Sequence, residues 1–180
     1  MEAQEVELNL QSAEALIDAF YSFDSDQLKP LLVTAQSSVP ALMFYQGWAE
    51  GGNYKVISRA PCHAQSVDRV SCAITVEDDP VLALEIDFNV TDTFVITFRN
   101  QTIVAVETSS NDKPVYHQAF KWVAEQMPEV MSGPCQGFFD GGPTPADCAR
   151  SITAGFRKFA ARPAYSQASS RSPEKGGVSR

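Results

Sequence analysis

Along this chain the period of the apolar positions changes twice, and those changes divide it into three stretches. Leu16, Ile17, Phe20 and Phe23 recur at helical spacing, which puts them on one stripe of a helix with Ser12 as its expected N-cap. Asp24-Ser25-Asp26 breaks the stripe. Leu28, Leu31 and Leu32, with Pro30 in the first turn, predict a short second helix. A third follows Ser37-Ser38, places Pro40 near its start, carries Leu42, Met43, Tyr45 and Trp48, and stops at Gly51-Gly52.

From Tyr54 to Thr108 the period drops to two, so alternate residues point to opposite faces of strands. The expected strands are 54–63, 70–77, 81–91, 94–99 and 102–108. Asp78-Asp79-Pro80 is the expected turn between the second and third, and Asn100-Gln101 a tight turn between the last two. Consecutive strands joined by short turns make an antiparallel meander. A helical period returns with Asp112, Pro114, Tyr116, Ala119, Phe120 and Val123, in a helix that Pro128 ends or kinks. Loops at Ser132-Gly133-Pro134 and Gly141-Gly142-Pro143 flank Cys135. A last helix is then expected, with Thr144 capping, Pro145 in its first turn, Asp147 at its positive end, and Ala149, Ile152, Phe156 and Phe159 as its apolar stripe.

Beyond Pro163 the residues are mostly Ser, Gly, Gln, Arg and Lys. They bury too little to offset the entropy of ordering them, which predicts a disordered tail. The expected organisation is an N-terminal extension (1–11), one α+β domain (12–162) and the tail (163–180). The domain has a core at 13–125, where helices wrap a curved antiparallel sheet, and a C-terminal helical extension at 126–162.

Composition agrees with one domain: 180 residues, 44% hydrophobic and 20% charged, can bury a core. A net charge of −8 offers no basic field for a phosphate backbone, so a nucleic-acid partner is not expected. No run approaches the roughly 20 apolar residues that span a bilayer, and residues 1–10 are acidic without an apolar signal core. No membrane partner is expected.

Four cysteines fall into two close couples, Cys62 with Cys72 and Cys135 with Cys148, at neither zinc-finger nor redox-motif spacing. A hairpin turning around Val67 sets Cys62 directly opposite Cys72, and the same register puts Val56, Ser58 and Ala60 on the face of Val70, Ile74 and Val76. A Cys135–Cys148 bridge would staple the last helix to its loop. Two disulfides lean the expected location towards an extracytoplasmic compartment, with any leader outside this numbering. Buried free thiols in a cytosolic protein are the other reading.

The order of elements, and the segment "TDTFVITFRNQTIVAVE" at the end of the meander, resembles the nuclear transport factor 2-like superfamily, with its ketosteroid isomerase-like and polyketide cyclase-like (SnoaL-like) members. The resemblance covers roughly residues 13–125. It implies a cone whose mouth holds a small apolar molecule, and a homodimer through the outer face of the sheet. It also implies that Asp92 of "TDTF" matches the protonated Asp by which the isomerases donate to a substrate oxyanion. The isomerases' Tyr position falls near Leu16 or Ile17, and Tyr21 lies late for it. Their general base falls where this chain has "SSVPALMFYQGWAEGG", so steroid isomerisation itself is not implied. The Asp–Arg–Asp set of the epoxide hydrolase branch could be drawn only from Asp87, Asp92 and Arg99, and alternation turns Asp87 and Arg99 away from the apolar face.

Asp92 is therefore the candidate catalytic acid, and its other reading is a strand-edge carboxylate bonded to nearby backbone. Tyr21, Tyr45, Trp48 and Phe94 are candidate ligand-binding residues, or else core. His63 and His117 are expected at the surface, and no metal site or cofactor is expected. Phe138-Phe139 either caps the cone or staples the last helix. Two functions follow: a small-molecule-binding protein, acting as an isomerase, cyclase or hydratase on a lipid-like compound, or a non-catalytic homodimeric module. The second takes its support from Val95, Val104 and Val106, expected on the outer face opposite Phe94, Ile96 and Ile103.

Overall fold

A computed structural model describes residues 1–165. Its first helix, α1, runs over Glu2–Tyr21, so Ser12 lies inside it and the expected extension 1–11 is its first half. Two things explain the early start. Glu2 and Glu5 sit in the first turn, where the helix dipole favours acids. Asn9, buried on the stripe that continues through Ala13, Leu16, Ile17 and Phe20, donates its amide to the Val67 carbonyl at 2.8 Å. A polar residue that docks α1 on the hairpin carries no hydrophobic signal.

Phe23, at φ 57°, turns the chain out of α1, and Asp24 caps the short α2 (Ser25–Leu28) by accepting from the Asp26 N–H. A 3₁₀ turn holds Pro30, and α3 spans Val39–Gly51 as expected.

The sheet has five antiparallel strands: β1 (Lys55–Arg59), β2 (His63–Ser66), β3 (Arg69–Glu77), β4 (Val90–Arg99) and β5 (Thr102–Ser110), ordered β1-β3-β4-β5 with β2 also on β3. The single strand expected over 54–63 is two, because Pro61, which has no N–H for a ladder, falls between them. The hairpin register is as expected: His63 pairs with Ser71, which sets Cys62 opposite Cys72, and the Cys62–Cys72 disulfide is formed. The register does not continue into β1. A shift between Val56 and Ser58 pairs Val56 with Val76, and Val56 lies exposed rather than on the core face.

The expected strand 81–91 is the largest correction. Asp78 accepts from the Val81 N–H at 2.9 Å, Pro80 sits in the first turn, and a helix, α4 (Asp79–Ala83), follows. An acidic cap followed by proline is a helix start, and it overrides alternation that only looks like a strand. Glu85 at φ 56° then turns the chain, and strand geometry resumes at Val90. In β4 the alternation is complete, with Val90, Asp92, Phe94, Ile96 and Phe98 buried. Asn100 and Gln101, at φ 49° and 61°, make the expected tight turn. A bulge then pairs Ala105 with Thr97 but Ile103 with Phe98, so Ile103 and Val106 both face inward. Val106 is therefore core, not outer face.

The C-terminal part comprises α5 (Pro114–Gln126), α6 (Pro128–Ser132) and α7 (Pro145–Ala160), and α7 packs on α3, α4 and α5. The α3–α7 crossing is close enough that a Cβ on Gly51 would lie 2.2 Å from the Ala146 carbonyl oxygen. The Cys135–Cys148 bridge is formed. Thr144 does not cap α7 with its side chain, which instead donates to the Pro134 carbonyl and ties the loop across its own base. Of the expected tail, residues 163–165 are helical, with the Tyr165 ring against Phe159 and its hydroxyl donating to the Leu84 carbonyl. Residues 166–180 lie outside the described residues, and with them most of the expected tail.

Candidate functional site

A cavity of about 350 Å³ opens between α3, α5, the end of β5 and the Cys135 loop. Helix α3 contributes Tyr45 and Trp48, one turn apart, and Tyr54 follows the helix end, its hydroxyl oxygen accepting from the Trp48 indole N–H at 3.2 Å. From α5 come Tyr116, His117, Phe120 and Lys121, and from the loop Phe138 and Phe139. Phe138 meets Phe44, Trp48 and Phe120 ring to ring, with centroids 5.2–5.7 Å apart. Because Cys135 ties that loop to α7, the aromatic wall is held by a covalent bond as well as by packing. A second, more open chamber of about 490 Å³ adjoins it and shares Tyr45, Ser110, Asp112 and Phe139.

Of the expected ligand-binding residues, Tyr45 and Trp48 line the cavity, while Tyr21 and Phe94 stand behind its wall. Phe94 is fully buried between Phe20 and Tyr45. Asp92 is also 0% exposed and does not line the cavity. It is nevertheless no strand-edge carboxylate. It sits within β4, and its oxygens accept from Tyr21 Oη at 3.0 Å and Ser110 Oγ at 2.7 Å. The Tyr45 hydroxyl approaches the same carboxyl and helps lower its pKa, without closing a hydrogen bond of good geometry. Burial still outweighs these donors and raises Asp92 above the usual carboxylate range. Tyr21 and Asp92 thus meet although 71 residues separate them.

Two further acids complete the polar set, and the sequence reading assigned neither a role in a site. Asp112 lines the cavity; burial raises its pKa, nearby His117 lowers it and Asp92 raises it again. Asp78 is 2% exposed. One of its oxygens takes the Val81 N–H, and the other has no hydrogen-bond partner. Desolvation pushes Asp78 up to about 7, opposed by the Val81 bond and reinforced by Asp92, Asp112 and Asp79. The phenols of buried Tyr54 and half-buried Tyr116 are pushed up by desolvation first and then by neighbouring groups that include these same carboxyls. The signals in the sequence were slight: Asp78 opens the Asp-Asp-Pro helix start, and Asp112 stands two residues past the end of β5.

Ser110 joins the buried network to the cavity. Its one hydroxyl proton goes to Asp92, so towards the cavity it offers lone pairs. His63, Asp87 and Arg99 are exposed and take no part. His117 is exposed but stands on the cavity rim. Among the described residues no group of three or more His, Cys, Asp and Glu could hold a metal ion, and no helix is long and apolar enough to cross a membrane. Comparison of the chain with protein-family models, with curated proteins and with solved structures finds no match in any of the three.

Proposed function

We propose that this is a small-molecule-binding domain of the nuclear transport factor 2-like kind, with the sheet as a cone and the aromatic cavity as its ligand chamber. The observation that carries this reading is a 350 Å³ cavity lined mostly by aromatic side chains, with the acceptors Ser110 and Asp112 among its few polar ones. Such a site takes a compact apolar compound and orients it through one or two polar groups. Each apolar Å² removed from water contributes about 25 cal/mol, so the ring contacts supply most of the affinity.

Proton transfer is the chemistry this set is fitted to, as in an isomerisation, cyclisation or hydration. Asp112 is the acid in contact with the ligand, beside His117, and Asp92 acts behind Ser110 as a positioning residue. The alternative, a non-catalytic homodimeric module, draws less support, because Val106 faces inward and leaves half-buried Val95 and Val104 on the outer face.

Titration with 2-naphthol, a neutral ring compound with one hydroxyl, tests the reading through the Trp48 indole signal in an NMR spectrum. Saturable one-site binding that shifts Trp48 and spares Trp122 is expected. No saturable binding by 2-naphthol or by other ring compounds of that size would overturn it.

A further inference from the structure

The aromatic wall of this cavity and its polar acceptors share a sign. Tyr45, Trp48, Tyr54, Tyr116, Phe120 and Phe138 line the space, and the faces of aromatic rings carry negative potential that a cation can meet. The acceptors are the Asp112 carboxyl and the lone pairs of Ser110, with Asp92 and Asp78 behind them. Tyr45, 5% exposed and lining both chambers, brings its hydroxyl near Asp92 without closing a hydrogen bond of good geometry. One oxygen of Asp78 is unpartnered.

Little in the wall balances this. Its one Lys or Arg side chain is Lys121, exposed on α5 and paired with Glu125 at 3.7 Å. An anionic ligand would be repelled by the acids, and a neutral one would leave them in an apolar site without a counter-charge.

Resting on the small-molecule reading, we infer that the ligand is an organic cation, an apolar body bearing a protonated amine or quaternary ammonium, seated with its charge between Asp112 and the rings of Tyr45, Tyr54 and Tyr116. A positive group over ring faces is attracted by their quadrupoles, and the attraction strengthens where water is excluded. Burial raises Asp112, Asp92 and Asp78 in the absence of such a group, so these acids gain a counter-charge when it arrives.

Two probes of equal shape test this: benzyltrimethylammonium and its neutral carbon isostere, neopentylbenzene, titrated against the full chain by NMR at pH 8. The ammonium compound is expected to bind about tenfold tighter or more, the scale of a desolvated cation–π contact with a nearby carboxylate. Asp112→Asn, at a half-buried position, is expected to narrow the gap between the probes with the spectrum otherwise retained. Equal affinity, or preference for the neutral isostere, would overturn the cation inference and leave the small-molecule reading standing. Binding of neither probe would overturn both.

Discussion

Asp92 and Asp78 lie within electrostatic reach of one another in the same core, yet the regions that carry them handle the charge in opposite ways. Asp92, in the middle of β4, receives a hydroxyl from α1 and another from β5, so both its oxygens are satisfied by elements that meet at the sheet. Asp78 opens a helix of five residues, whose N–H group satisfies one oxygen and leaves the other bare. Both are buried, and burial raises both. Donors at the sheet pull Asp92 back, whereas neighbouring acids push Asp78 further. What a buried charge costs is set by the donors around it more than by its depth.

Removing the charge from the unsatisfied site should give the largest effect. Asp78 titrates at 3.8 unperturbed and at about 7 when folded. Between those values the folded protein holds a proton that the unfolded chain has released, so stability falls as pH rises and the loss is complete above the folded value. At about 1.4 kcal/mol per pH unit, the loss reaches up to roughly 4 kcal/mol. Asn can still cap α4. Asp78→Asn is therefore expected to stabilise the protein by a few kcal/mol at pH 8 and by little at pH 4, measured by urea unfolding at both. An equal effect at the two pH values would show that Asp78 carries no unsatisfied charge.

The two disulfides sharpen the contrast, one tied to the sheet and the other to the helical end. Cys62–Cys72 spans a separation of 10 residues and Cys135–Cys148 one of 13, so each constrains the unfolded chain similarly, by about 3 kcal/mol. Their effects on the cavity should differ. Replacing Cys135 and Cys148 with Ala frees the loop that carries Phe138 and Phe139, and should weaken ligand affinity as well as stability. Replacing Cys62 and Cys72 should cost similar stability with affinity unchanged. Calorimetric melting beside a probe titration on both double variants separates the two, and equal losses of affinity would break the regional distinction.

Legibility in the sequence followed the same division. The hairpin around Val67, the β4 alternation and the Asn100-Gln101 turn were readable because each rests on local rules that tertiary packing did not override. The early part of α1 was not, since the residue that docks it is Asn9, and neither was the bulge that turns Val106 inward. Segment 81–91 carried a strand-like alternation and a helix start together, and the cap prevailed. At the site, Tyr45 and Trp48 were legible as aromatics at helical spacing. The meeting of Tyr21 with Asp92, and the gathering of Asp78 and Asp112 near it, depend on contacts distant in sequence that no local pattern encodes.

The smallest expected effect comes from the satisfied site itself. Tyr21→Phe keeps the ring, with its edge-to-face contacts to Phe20 and Phe94, and deletes only the hydroxyl that donates to Asp92. That hydroxyl lowers the Asp92 pKa, so it stabilises the carboxylate more than the protonated acid. Its loss raises the folded pKa further while leaving the unfolded value alone, and the penalty must therefore grow as pH rises. The Ser110 hydrogen bond and the nearby Tyr45 hydroxyl remain, which limits the loss to one bond to a charged acceptor, about 1.5–2 kcal/mol where Asp92 is ionised and about 0.5–1 where it is protonated. Urea unfolding at pH 4 and pH 9 should show the larger deficit at the higher value. A deficit that is flat with pH would mean that the hydroxyl contributes to packing alone, and that Asp92 is held by β5 without help from α1.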